Sequence, residues 1–190
     1  MDVQRLAAML LIASFVVVVI AFPLGVPGYY QTQDIAERAR LVEQYRTRAA
    51  IGNGLLYIWS LLSAAGVGVL AIYLRRNGAT LAALLGALSL ALGSVAYGLV
   101  NYLRYRDVFG FFEGKYPDYH AFGNWFVLAG LLLLGRAFLQ ALLPTWLSYL
   151  TIGAALVLAL VLLIWPAFFF MIPFLEIGLL LVIGIALLRS

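Results

Sequence analysis

Residues 123–143, GNWFVLAGLLLLGRAFLQALL, and residues 168–188, FFFMIPFLEIGLLLVIGIALL, decide the fold. Each is long enough to cross a bilayer core as a helix at ~1.5 Å per residue. Each is largely apolar and carries a single ionisable residue, Arg136 in the first and Glu176 in the second. A charge at membrane depth is costly, so it normally faces the protein interior and has a partner or a task.

The rest of the chain has the same character. Of its 190 residues 65% are hydrophobic and 11% charged, against about 25% charged in an average soluble domain. Apolar stretches at about 6–22, 51–74, 79–103, 122–143, 146–165 and 168–188 predict an all-α polytopic bundle of six transmembrane spans. Residues 1–190 are expected to form a single integral membrane domain. The first stretch reads as a retained span and not a signal peptide: the segment before it, MDVQR, is barely positive, and no clean A-x-A site precedes Pro23.

Spans 2 and 3 are joined by the short Arg75-Arg76-Asn77-Gly78 turn, which makes them antiparallel neighbours. Ser60, Ala64 and Gly68 fall four apart along span 2. Ala82, Gly86, Ser89, Gly93 and Ala96 repeat at three- and four-residue steps in span 3. Small residues so spaced let backbones approach closely in lipid. They fit an intramolecular helix hairpin, with a homodimer seam as the alternative. Pro166 and Pro173 bracket the aromatic entry to span 6 and predict a kinked or partly re-entrant start there. Trp125, Trp146 and Trp165 sit near span ends, as interfacial anchors do.

Two longer connections remain. In residues 31–50, Asp34 and Glu37 have the spacing of a capping box. Ile35, Ala39, Val42, Tyr45 and Ala49 line one helical face, with Glu37, Arg38, Arg40 and Arg48 largely off it. This predicts a short amphipathic helix between spans 1 and 2. It either lies in the headgroup plane or packs on the ends of the spans. Residues 104–121 mix aromatics with Arg104, Arg106, Asp107, Glu113, Lys115, Asp118 and the sole histidine, His120. Arg104, Arg106, Glu113, Asp118 and His120 are the interfacial candidates, as an ordinary wet loop or as a headgroup or ligand vestibule.

With six spans, both connections share one side and carry seven basic residues. The other side holds Arg5, Arg75, Arg76 and Arg189, plus Arg136 if it snorkels. By the Lys and Arg count this weakly favours cytoplasmic placement of the connections at 23–50 and 104–121. The lipid bilayer is the expected partner, with other membrane subunits or a second copy of the chain as further candidates. No soluble basic face for nucleic acid is expected.

Catalytic and cofactor chemistry find little footing. There is no cysteine, so thiolate nucleophiles and Cys-ligated centres are excluded. One histidine cannot supply paired haem ligation, and no HExxH, Walker or GxSxG pattern occurs. No metal, cofactor or catalytic residue is expected. The polar candidates inside the spans are Arg136, Glu176 and Asn101. If spans 4, 5 and 6 alternate, Arg136 lies ~10 Å and Glu176 ~18 Å from the same surface. The gap of roughly 8 Å can be closed by the two side chains, which predicts an internal ion pair. Separate fates, with Arg136 snorkelling outward, are the alternative. Two functional classes follow. One is a structural or accessory membrane protein, free-standing or a subunit of a complex. The other is a small-molecule or lipid-binding transporter-like bundle.

The late segment Pro173, Phe174, Leu175, Glu176 resembles the acidic residue entering the last span of the six-span bacterial membrane proteins grouped as domain of unknown function 4386. Leu143, Pro144, Thr145, Trp146, Leu147 is similar to that family's Leu-Pro-x-Trp-Leu entry to span 5. Ala71, Ile72, Tyr73, Leu74, Arg75 resembles the tail of its second span. The chain departs from the family in the last span, where Leu180 to Leu188 replace the usual Trp and terminal Gly. The resemblance covers about 150 residues in the family's usual element order and implies six spans and no assigned activity.

Overall fold

The computed structural model describes residues 2–79, 81–165, 168 and 171–189. The chain is all-helical among these residues, and six helices are long and apolar enough to cross a membrane. In order they are α1 (Val3–Ala21), α2 (Ile35–Gln44), α3 (Arg46–Arg76), α4 (Leu81–Arg106), α5 (Val108–Phe112), α6 (Tyr119–Gln140), α7 (Thr145–Ile164) and α8 (Ile172–Arg189). The six long helices are the spans. α2 and α5 are short and lie at one end.

The helix ends are written in the sequence. Asp2, Asp34, Asp107 and Asp118 each cap a helix, their carboxylates accepting from Gln4, Ala36, Gly110 and Ala121 N–H. α3 stops at Asn77. Gly78 then takes the left-handed conformation (φ 100°), and Ala79 N–H donates to Leu74 O while Gly78 N–H donates to Arg75 O. This is the Schellman pattern, with glycine at the position that favours it. α6 ends the same way, with Leu143 N–H on Phe138 O, yet its left-handed residue is Leu142 (φ 54°). The two turns lie side by side: a Cβ on Gly78 would sit 3.5 Å from Gln140 O.

The spans form a ring. α1 packs between α3 and α8, α4 between α3 and α6, and α6 against α7. α7 and α8 meet lightly, which leaves a thin seam. The tightest approach is between α4 and α6. A Cβ on Gly86 would come within 2.9 Å of Leu134 N, and one on Gly130 within 2.8 Å of Leu90 N. Gly93 and Gly123 repeat the contact one heptad along, each Cβ position falling 3.1–3.3 Å from the other's carbonyl oxygen. In a bilayer no water is expelled when helices meet, so close packing of this kind supplies much of the cohesion.

Several expectations change. Gly86 and Gly93 of span 3 pack on α6, while Gly98 packs on Ser60 of the span 2 partner, where an added Cβ would fall 3.0 Å from Ser60 Cβ. On α3 Gly66 is set against Leu11 of α1 and Gly52 against Leu24 O, while Gly68 has open space beside it. Residues 104–121 are largely helical: Arg104 and Arg106 belong to the last turn of α4, and His120 to the first turn of α6. Span 2 begins earlier than expected, because α3 starts at Arg46, directly after a break at Tyr45. The expected re-entrant start of span 6 falls on Pro166, Ala167, Phe169 and Phe170, outside the described residues. Pro173 occupies the first turn of α8, where its missing N–H costs nothing.

The amphipathic helix is present as α2. Leu41, Val42 and Tyr45 pack on a small satellite core of Val26, Tyr29 and Ala49, joined by Tyr105 and Phe112. The helix therefore sits against the ends of the spans, the second of the two expected placements. Arg38 lies over the Phe112 ring at 4.4 Å. The capping box is half formed, since Glu37 pairs with Arg40 at 2.7 Å instead of reaching back. Trp125, Trp146 and Trp165 are all more than half exposed, as anchors at the membrane surface require.

Candidate functional site: a polar core around Glu176

Glu176 sits one turn into α8 and points into the ring, wholly buried. Its Oε1 is 2.7 Å from Ser94 Oγ on α4. Its Oε2 has no hydrogen-bond partner. Ser94 Oγ is also 3.0 Å from Leu90 O of its own helix. A hydroxyl has one proton to give. If Ser94 gives it to Leu90 O, the second contact is satisfied only by a proton on Glu176. A neutral carboxyl therefore completes the hydrogen bonding, and it avoids burying a lone charge.

Arg136 is not its partner. The guanidinium is on the outer flank of α6 and exposed, whereas Glu176 is enclosed. The expected ion pair does not form. The register estimate placed the two at compatible depths, but a helix has faces as well as a length. Arg136 follows Gly135, which packs against Ser148 O of α7, and the next residue around the helix turns outward.

From Ser94 a polar stripe runs along α4 toward its C-terminal end: Ser94, Tyr97, Asn101 and Arg104, spaced by three, four and three residues. Tyr97 is buried, and its hydroxyl donates to Asn124 Oδ1 of α6 at 2.6 Å. Its ring stacks on Trp59 of α3, with centroids 6.4 Å apart and planes at 12°. On the far side it meets His120 at 6.1 Å. Asn101 spends its amide on Tyr97 O, 2.9 Å away within its own helix, so this candidate acts locally.

Arg104 connects the stripe to the outer face. Its Nη2 lies 2.9 Å from His120 Nε2, and its Nη1 donates to Tyr30 OH at 3.1 Å. Arginine can only donate, so His120 Nε2 accepts and the ring proton sits on Nδ1. Arg104 also lies over the Phe111 ring at 5.4 Å. Beyond it, Asp107 ties the α5 loop down by accepting from Lys115 Nζ at 2.9 Å, Tyr116 OH at 2.7 Å and Gly110 N–H at 2.9 Å. These donors, Lys115 foremost, pull its carboxyl down to about 2. Arg106 bonds Tyr102 OH, Glu113 is exposed beyond α5, and Asp118 caps α6. Of the five interfacial candidates, the structure joins only Arg104 and His120 to the polar core.

Other polar groups face the interior. Trp59 Nε1, Ser63 Oγ and Ser148 Oγ are buried without hydrogen-bond partners, in a setting where most buried polar atoms are matched. Ser14 and Thr151 are satisfied by carbonyls of their own helices at 2.7 and 2.8 Å. No group of three His, Cys, Asp or Glu able to hold a metal occurs among the described residues.

Sequence reading singled out Glu176 but missed Ser94, Tyr97, Asn124 and Trp59. The signal for the first two was present: polar residues at 94, 97, 101 and 104 mark one face of span 3. It was overshadowed by the small-residue repeat on the same helix.

No protein-family model, curated protein or solved structure matches the chain. Fold and site together define a six-span, all-helical integral membrane bundle with a polar interior. The six spans that the resemblance implied are present, and no family model ties the chain to domain of unknown function 4386.

Proposed function

We propose that the protein is a proton-binding membrane bundle of transporter-like type, in which Glu176 takes up and releases the proton. The observation that carries this reading is the enclosed carboxyl itself, with Ser94 on one oxygen, nothing on the other and no cation beside it. Intramembrane ionisable residues of this kind are the usual stations of proton relays. Tyr97, Asn124, His120 and Arg104 extend the polar line toward the α5 end, where a proton can exchange with water. The proposal concerns binding and transfer, and assigns no bond-making chemistry to the chain.

The test uses the purified protein in liposomes loaded with a pH-sensitive dye. A potassium gradient with valinomycin supplies the driving potential. The reading predicts proton flux above empty liposomes, reduced at least tenfold by E176Q. E176Q keeps the shape and a hydrogen bond to Ser94 but cannot titrate. Flux equal to that of empty liposomes, or flux unchanged in E176Q, overturns it.

A second reading is an accessory subunit of a larger membrane complex. It is supported by α7, the least enclosed of the spans, joined thinly to α8 and with open space beside Gly153. Purification in mild detergent followed by mass spectrometry tests it; a protein recovered alone and monomeric removes it.

The seven basic residues of the α2 and α5 side, against five on the other now that Arg136 faces outward, support cytoplasmic placement of the long connections. The chain has no cysteine, so single cysteines at Glu113 and at Asn77, labelled from outside, read the orientation directly. Membership in domain of unknown function 4386 is supported only by the short Ala71–Arg75, Leu143–Leu147 and Pro173–Glu176 segments and the order of the elements.

A further inference from the structure

We propose that the groove between the start of α4 and the end of α6 binds the phosphate of an anionic phospholipid, with Arg136 and Gln140 holding the headgroup. The groove has a volume of about 170 Å³ and is lined by Leu81, Ala82, Leu85, Leu133, Arg136 and Gln140. Arg136 and Gln140 are four residues apart, so they stand one above the other on the same helix face. Both are exposed, and no acidic residue lines the groove.

Charge balance indicates what must come from outside. The side of the bundle that bears the α3–α4 and α6–α7 turns holds Arg5, Arg75, Arg76, Arg136 and Arg189, with Asp2 as its single acid. The opposite side sets seven basic residues against Asp34, Glu37, Glu43, Asp107, Glu113 and Asp118. There the charges pair, as in Arg40–Glu37, Arg46–Glu43 and Lys115–Asp107. Among the described residues Arg136 has no such counter-ion, although it lies within an apolar span.

Geometry selects a lipid over a free anion. Arg136 is four residues inside the last residue of α6, or ~6 Å, a depth from which a long side chain reaches the phosphate level. Leu81 and Leu85 are 66% and 41% exposed and offer an acyl chain an apolar wall beneath the headgroup. A guanidinium matches a phosphate through two parallel N–H bonds, and the Gln140 amide adds a neighbouring donor. The site is separate from Glu176 and stands whether or not that residue moves protons.

The test is native mass spectrometry of the delipidated full-length protein in neutral detergent, together with its melting temperature. Phosphatidylglycerol, phosphatidylcholine and inorganic phosphate are titrated separately. The expected result is a phosphatidylglycerol adduct that raises the melting temperature. Phosphatidylcholine should bind at least tenfold more weakly, and phosphate should have no effect. R136L should weaken phosphatidylglycerol about tenfold, R136K less, and Q140L least. Because Arg136 is exposed, R136L is expected to fold, and its melting temperature without lipid verifies that. Equal binding of the two lipids, or undiminished binding by R136L/Q140L, overturns the proposal. Stabilisation by inorganic phosphate matching that by lipid overturns the lipid as occupant. Loss of binding in R75L/R76L with R136L unaffected moves the site to the turn and also overturns it.

Discussion

The inner face of α8 and the outer flank of α6 carry the two ionisable residues that the sequence buries in apolar surroundings, and they treat them oppositely. Glu176 is enclosed, held by a serine and without a counter-charge. Arg136 is turned toward lipid beside Gln140, with an apolar groove beneath it. Depth in a hydrophobic stretch states that a charge is expensive; the helix face states how the cost is met. Inside the ring a carboxyl can become neutral. An arginine cannot, so it must find the surface, and it does so one turn from the helix end.

The contrast between inner and outer faces can be broken most severely by adding volume. Gly130→Val would drive a Cβ into Leu90 N at 2.8 Å, where the neighbour is backbone and cannot give. A loss of about 3 kcal/mol or more is expected, read as a large fall in melting temperature or as failure to recover folded protein. The matching substitution at an outer glycine, Gly153→Ala, meets nothing within 4 Å and should leave stability unchanged or raise it by up to ~1 kcal/mol. Equal losses at both positions would remove the distinction between the faces.

The polar pair comes next. Ser94→Ala leaves Glu176 with neither oxygen bonded and should cost roughly 1–3 kcal/mol. Arg136→Leu should stay within about 0.5 kcal/mol of wild type when no lipid is supplied. Combined with Glu176→Leu it should be additive, because the residues share no contact. A coupling above about 1 kcal/mol would restore the ion pair that the structure does not form.

The spans, their number and the short helix between the first two were legible in the sequence, because length and hydropathy are properties of a segment taken alone. So were the Asp34 N-cap and the Asn77-Gly78 stop, whereas the caps at Asp2, Asp107 and Asp118 were not read. The partner of each small-residue stripe was not legible. Gly86 and Gly93 are equally suited to α3 and α6, and only the three-dimensional closure of the ring assigns them to α6. The same holds for Ser94 and Tyr97, whose polarity becomes meaningful once Glu176 and Asn124 arrive from helices far along the chain. Arg136 was misjudged for a related reason: two depths agreed while two faces did not.

Smaller effects sharpen the comparison at the two ends of the bundle. At the turn end, Leu142 holds the left-handed position that glycine takes at residue 78. Leu142→Gly should therefore stabilise by about 1 kcal/mol, seen as a small rise in melting temperature. At the other end, Asp107 is held down to about 2 by Lys115, Tyr116 and Gly110 N–H. A carboxyl lowered on folding contributes above its ordinary titration range, and that contribution is lost as pH falls toward 2. Hydrogen exchange at Gly110 and Phe111, corrected for intrinsic rate, should stay protected at neutral pH and quicken only toward that acid limit. Asp107→Ala should abolish the pH dependence.

The most direct measurement is the infrared spectrum of the protein in nanodiscs near neutral pH, with wild type compared against E176Q. We expect a protonated carboxyl C=O band that E176Q removes, S94A shifts by loss of its hydrogen bond, and R136L leaves in place. An ionised carboxylate at this position, or a band that moves in R136L, would contradict an enclosed carboxyl held by Ser94 and independent of Arg136.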